Sequence, residues 1–245
     1  NNTKMLYIET PSNPLLKITY ISAAADFAKR KQLISVIDNT FASPANQNPV
    51  DLGIDLIIHS ATKYLGGHSD ICAGAVAGPK NLLAQIKTTA LNFGGSLDAQ
   101  TCYLLERSIK TLFVRVNQQN RNAQKVAEYL DNHPKISKVY YPGLPGSENH
   151  SIAKKQMSGF GGMLAFDLVK GEIVAFQRSL KLIKPAVSLG GVDSTISAPT
   201  MTSHRHLSPQ ERAKEGITEQ TLRLSVGIEN TEDIIADLEE SLKNC

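Results

Sequence analysis

Lys63 stands where a buried strand would end. The apolar run Leu56-Ile57-Ile58 gives way to His59-Ser60-Ala61-Thr62-Lys63-Tyr64-Leu65-Gly66-Gly67-His68. In an open parallel sheet, ligands collect beyond the carboxyl ends of the strands. A lysine just past such a strand is desolvated, which favours its neutral amine. That amine can form a Schiff base with an aldehyde. Ser60 and Thr62, on alternate positions before it, offer hydroxyls to an anion such as a phosphate. The plain alternative is a surface lysine in a strand-to-loop turn.

A second apolar run, Leu33-Ile34-Ser35-Val36-Ile37, ends in Asp38-Asn39-Thr40. A carboxylate at that strand end could sit beside the lysine's site. A lysine Schiff base and an Asp partner for a pyridinium nitrogen are what a protein contributes to pyridoxal-phosphate chemistry. Asp38-Asn39-Thr40, followed by Ser60-Ala61-Thr62-Lys63-Tyr64-Leu65-Gly66-Gly67-His68, resembles the signature of the Cys/Met-metabolism (trans-sulfuration) family of fold-type I pyridoxal-phosphate enzymes. The family holds the cystathionine and methionine lyases, cystathionine γ-synthase and the homoserine sulfhydrylases. The likeness runs from Tyr7 to the C-terminus.

The resemblance implies pyridoxal 5'-phosphate as cofactor, with Lys63 and Asp38 catalytic. It implies that Ser60, Thr62 and Asn13 join them in holding the cofactor, Asn13 near its phenolic oxygen. In Leu222-Arg223-Leu224-Ser225-Val226-Gly227-Ile228 the apolar residues share one face and Arg223 points to the other. A guanidinium fork there suits a substrate carboxylate, and a structural salt bridge equally well. The resemblance decides for the carboxylate, and it places Ser188 near both the lysine and that carboxylate. Val187 precedes Ser188 where cystathionine γ-lyases commonly hold a glutamate, so an apolar wall for the substrate's distal end is expected. The loop Ser188-Leu189-Gly190-Gly191-Val192-Asp193-Ser194 looks instead like the cystathionine lyase and synthase version.

Around these residues strands and helices alternate. A strand at Leu6–Glu9, a helix at Tyr20–Lys31, the Asp38 and Lys63 strands, a short strand at Ala73–Ala77 and a helix at Asn81–Asn92 follow one another. Such βαβ order suggests a mostly parallel sheet. A long helical region, about Asp98 to Asn132, leads to the punctuation Pro142-Gly143-Leu144-Pro145-Gly146. Beyond it are strands at Gly162–Leu168, Ala186–Leu189 and Leu222–Ile228, and a helix opened by the capping box Ser208-Pro209-Gln210-Glu211. The expected fold class is α/β, a mostly parallel pyridoxal-phosphate-binding domain of the aminotransferase-like kind over residues 1–115. A smaller α+β domain over 116–245 is joined to it through the long helix. Because Met5-Leu6-Tyr7-Ile8-Glu9 already reads as a buried strand, the first domain is expected to have its N-terminal part missing.

Composition narrows the function classes. The net charge of +3 carries no basic block, which argues against nucleic acid as the main partner. Apolar runs are too short to span a bilayer. Cys72, Cys102 and Cys245 are widely spaced with no C-x-x-C, as in a reducing compartment, so a cytoplasmic protein is expected. His59, His68, His204 and His206 lack ligand spacing, and no metal site is expected. The reading is a lyase that eliminates the sulfur group of a sulfur amino acid, of the cystathionine or methionine γ-lyase type, with β-elimination also open. The alternatives are a γ-replacement enzyme and an inactive scaffold or fragment lacking N-terminal active-site parts. The resemblance further implies a homotetramer built from dimers that share active sites.

Overall fold

Three short apolar runs make the first sheet. Met5–Glu9 (β1), Ile34–Asp38 (β2) and Leu56–Ser60 (β3) pair in parallel, and Gly74–Ala77 (β4) closes the order β1-β2-β3-β4. The helix Ile21–Arg30 (α1) carries Ile21, Ala25 and Ala28 at i, i+4 and i+7, and these are the buried side. Together with Ile37, Ile54 and Ile57 they form one small core. Register does the rest: Glu9 lies opposite Asp38, and Asp38 opposite Ile58. The computed structural model describes residues 2–243.

β4 runs antiparallel to β3, so the sheet, parallel in its other two pairs as expected, is mixed at that edge. The cause is the connection. A parallel return needs a crossover of a dozen or more residues, usually a helix, and residues 61–73 contain none. The fold class is α/β, a mixed sheet with parallel β1, β2 and β3 beside a second sheet.

Past the short helix Ser43–Asn46 (α2) and the helix Lys80–Asn92 (α3), the expected long helical region divides in two. Ala99–Ile109 (α4) starts on Asp98, whose side chain accepts the Thr101 amide, and Leu112–Asp131 (α5) follows. At the break Arg115 reaches back to the Ser108 carbonyl. The second sheet has the order β5-β6-β9-β8-β7, from Ile136–Tyr140 (β5), Met163–Leu168 (β6), Lys184–Pro185 (β7), Thr195–Ser197 (β8) and Thr221–Ser225 (β9). Its pairs are antiparallel apart from β7 with β8. His150–Gln156 (α6), Ile173–Ser179 (α7), Pro209–Glu215 (α8) and Thr231–Lys243 (α9) complete the described chain. The capping box at Ser208 and Glu211 forms as expected.

β6 and β9 are buried along their whole length. Leu164, Phe166, Leu222 and Leu224 pack against Val126 and Leu130 of α5 and Leu238 of α9. A second core joins Leu15, Leu16, Tyr64 and Val116 to Met163, Ala165 and Leu189. It lies directly beneath the turn that follows Lys63. Ala186–Leu189 is not a strand; the chain leaves the sheet after Pro185, and the released backbone turns toward Lys63.

Candidate active site

Four segments remote in sequence deliver polar side chains to one place. Lys63 follows β3, Ser188 and Val187 lie in the loop after β7, Arg223 is on β9, and Asn13 is in the turn after β1. Lys63 Nζ donates to Ser188 Oγ at 3.3 Å. Arg223 Nη1 donates to Asn13 Oδ1 at 3.0 Å, and Nη2 to the Val187 carbonyl at 2.8 Å. Arg223 is thus turned toward Asn13 and the Val187 carbonyl, and both faces of β9 are buried. The Val187 side chain is 62% exposed, so its backbone carbonyl is what meets the arginine.

Charge is distributed unevenly. Burial, and next the Arg223 guanidinium, hold the Lys63 amine below the ordinary lysine range. Burial alone draws Arg223 down to about 10. Burial disfavours the charged form of each, and for Lys63 the neighbouring cation adds to it. Asp38 is the opposite pole. Its Oδ1 accepts the Thr40 amide at 2.9 Å, and among the described residues it makes no ion pair. Around it, partial burial and then the Asp38 charge raise Tyr7 and Glu9. Burial lowers His59, with Asp38 opposing.

From the sequence, Tyr7 and Glu9 read only as strand residues, and His59 only as a rejected metal ligand. Glu9 was findable only through the strand register that sets it opposite Asp38. Its Oε1 accepts the Asn13 amide at 3.2 Å, which links the Asp38 end to the Arg223 end. The Ser60 amide donates to Thr40 Oγ1 at 2.8 Å, tying the ends of β2 and β3 together. Thr62 Oγ1 donates to the Ala73 carbonyl at 3.3 Å and accepts its amide at 3.0 Å. A phosphate would have to draw that weaker donated bond away. Tyr64 is buried in the core under Gly190, a packing residue.

The lowered Lys63 pKa has a consequence for stability. Below its folded pKa the amine is charged in both states, and the folded state bears the desolvation. Above the unfolded value of 10.5 it is neutral in both and the penalty is gone. Lys63→Met should therefore raise the thermal midpoint at neutral pH, and the gain should shrink as pH rises toward 10.5. Melting curves at pH 7 and pH 10 check this; a lower midpoint at pH 7 would show the amine stabilises the fold.

A carboxylate without a cation at one end and two desolvated cations at the other fit a ligand of matching polarity. A pyridinium nitrogen would face Asp38, an aldehyde carbon would meet Lys63, and an amino acid's carboxylate would meet Arg223. Pyridoxal phosphate with its substrate has that order of groups, so the residues present fit it.

The comparisons agree with this chemistry. A family model described as Cys/Met metabolism PLP-dependent enzyme matches residues 1–243. Cystathionine gamma-lyase of Bacillus subtilis (strain 168) is 46% identical over 99% of this chain and 65% of its own length. L-methionine gamma-lyase of Fusobacterium nucleatum subsp. polymorphum is 45% identical over 99% of this chain and 62% of its own. The crystal structure of cystathionine gamma-lyase from Lactobacillus plantarum complexed with L-serine superposes with a TM-score of 0.95. It is 44% identical over 98% of this chain and 64% of that one. The chain thus spans less than two thirds of these relatives' length. Each alignment nevertheless runs across nearly all of this chain. The expectation of a domain with its N-terminal part missing is withdrawn.

Proposed function

This chain belongs to the Cys/Met-metabolism PLP-dependent enzymes, and from that membership we propose that it is a carbon–sulfur lyase using pyridoxal 5'-phosphate to eliminate the sulfur group of a sulfur amino acid. The observation that carries the proposal is the Lys63 amine, desolvated and 3.3 Å from Ser188, facing Arg223 with the unpaired Asp38 at the far pole. Relatives named for cystathionine and for methionine support this substrate class.

A bound pyridoxal phosphate supplies an electron sink for the substrate's α-carbon. The chain's residues do the remainder. Lys63 holds the cofactor through its amine. As a free base it takes the proton from the substrate's Cα, a role that its lowered pKa favours. Ser188 Oγ accepts from that amine and fixes its direction. Arg223 takes the substrate carboxylate on its fork, while Asn13 and the Val187 carbonyl hold the guanidinium in plane. This is catalysis by orientation. Asp38 would present a negative charge to the ring nitrogen, and Ser60 and Thr62 would offer hydroxyls to the phosphate.

The assembly is proposed to be a homotetramer of dimers that share active sites, supported by the exposed Leu91, Phe93, Phe113 and Val114. A cytoplasmic setting is supported by free thiols at Cys72 and Cys102. Among the described residues no helix is long and apolar enough to cross a membrane. The division into a cofactor-holding part, 1–115, and a smaller part, 116–245, belongs to the same proposal.

Borohydride reduction in the presence of pyridoxal phosphate, then peptide mapping, should place the pyridoxyl group on Lys63. Finding it on Lys80 instead would overturn the reading.

Val187 bears on substrate choice. Its side chain gives a neutral tail, as in methionine, an apolar neighbour, whereas cystathionine brings a charged end. Val187→Glu should raise the preference for cystathionine over methionine, read as the ratio of kcat/KM values. Since Val187 is exposed, the new pairing is worth about 0.2–1 kcal/mol, at most roughly fivefold in that ratio. A ratio moving toward methionine removes Val187 from the pocket.

A further inference from the structure

One face of α5 carries polar side chains where a core-facing helix would be expected to carry apolar ones. Arg115, Gln119 and Asn122 are 5%, 0% and 0% exposed. At i, i+4 and i+7 they share a face. Each donates to the backbone of another segment, while Asn122 Oδ1 accepts from the Gln118 and Thr231 side chains. Arg115 Nη1 donates to the Tyr64 carbonyl at 2.9 Å, Nη2 to Leu65 at 3.4 Å and to Ser108 at 2.9 Å, and Nε to Thr111 Oγ1 at 3.0 Å. Gln119 Nε2 donates to the Gly191 carbonyl at 2.7 Å. Asn122 Nδ2 donates to the carbonyls of Gly227 at 3.0 Å and Glu229 at 2.8 Å.

Those three targets are the turn directly after Lys63, the loop that carries Ser188, and the exit of the strand that carries Arg223. We propose that this face of α5 is the positioning frame of the site: Arg115, Gln119 and Asn122 fix the backbones of the Lys63, Ser188 and Arg223 segments relative to one another. The proposal rests on the reading of those three residues given above.

The segments are also stitched to each other around the frame. The Gly67 amide donates to the Lys63 carbonyl at 2.7 Å, and the Gly67 carbonyl accepts the Val192 amide at 2.9 Å. The Gly190 amide donates to Ser225 Oγ at 2.8 Å. Gly67 has φ +73, and a Cβ there would collide with the Arg115 guanidinium. The turn after the lysine is therefore shaped to receive the arginine.

Stability alone is a poor reason for this arrangement. Arg115 is a buried cation whose bonding partners are carbonyls and a hydroxyl, with no ion pair among the described residues. Buried charges are commonly matched or bettered in stability by apolar residues of similar volume. Gln119 Oε1 is buried and unpartnered, a cost that an apolar side chain of the same length would not incur. The amide is of use only at its Nε2 end, on Gly191. Arg115, Gln119 and Asn122 touch no reacting group, so they are positioning residues.

Gln119→Met removes the bond to Gly191 together with the orphan oxygen, and should leave the thermal midpoint near that of the wild type. With the Ser188 loop loosened, water reaches Lys63. The pH midpoint for its reaction with pyridoxal phosphate, followed by absorbance and fixed by borohydride, should then move up toward that of an ordinary lysine. In the holoenzyme kcat should fall about 10–10²-fold with KM little changed, the size expected of a small misplacement remote from the chemistry. A folded Gln119→Met whose midpoint and kcat both stay within about twofold of the wild type overturns the proposal. If that variant does not fold, Arg115→Lys decides by the same two measurements, with an unshifted midpoint again overturning it. Wild-type protein that gains no pyridoxyl group on Lys63 would sink the site reading and this inference with it. Labelled wild type with unshifted variants sinks the frame alone.

Discussion

Asp38→Asn should cut cofactor affinity and turnover together, and steeply. The substitution keeps the shape and leaves Oδ1 to accept the Thr40 amide. What it removes is a negative charge that has no competing ion pair among the described residues and so is free for a ring nitrogen. Breaking a buried pair by removing one partner costs about 3–5 kcal/mol. That corresponds to roughly 10²-fold to several 10³-fold in an equilibrium or rate constant. A second readout is independent of the cofactor. The Asp38 charge raises Glu9 and Tyr7 and opposes the lowering of His59. Without it all three should titrate at lower pH in the apoprotein, which nuclear magnetic resonance can follow. Near-normal turnover in a variant whose titrations have moved would mean that the ring nitrogen has another partner.

The positions of Lys63 and Asp38 were legible because both terminate apolar runs, and a strand end can be read from composition along a few residues. Direction was not legible. Gly74–Ala77 looks the same whether it runs with β3 or against it, and only the absence of a helix in 61–73 decides. Ser188 is identified but set in a strand; Val187-Ser188-Leu189 has strand-like residues, and the contacts that pull it out of the sheet come from Lys63 and Arg223, both remote in sequence, and from nearby Thr195. Glu9 depended on register, which one strand alone cannot announce. Arg115, Gln119 and Asn122 were missed because a polar stripe at helical spacing usually faces water. The clue lay in Gly67, whose lack of a side chain makes room for the guanidinium of Arg115, remote in sequence, only once the fold is known.

Arg223→Leu should act almost wholly on the handling of the substrate's carboxylate. The guanidinium is buried and already held in plane by Asn13 and the Val187 carbonyl, so it is preorganised for a bidentate anion. Truncating one partner of a buried, hydrogen-bonded charge pair costs about 2–5 kcal/mol. The expected result is a fall in kcat/KM of roughly 30-fold to several 10³-fold for amino-acid substrates. An amine that lacks the carboxylate should lose far less, so the two substrates converge in the variant. Lys63 adds a pH signature. Arg223 is the second cause, after burial, that lowers its pKa. With that positive charge gone, the protonated amine is less disfavoured and its pKa rises. The neutral base is then scarcer at a given pH, and the acid limb of the kcat/KM profile should move to higher pH. Folding should not suffer in proportion, because burial already draws Arg223 down to about 10 and leucine carries no such desolvation. A variant that loses both substrates equally, with an unmoved acid limb, would show that Arg223 supports the strand rather than the carboxylate.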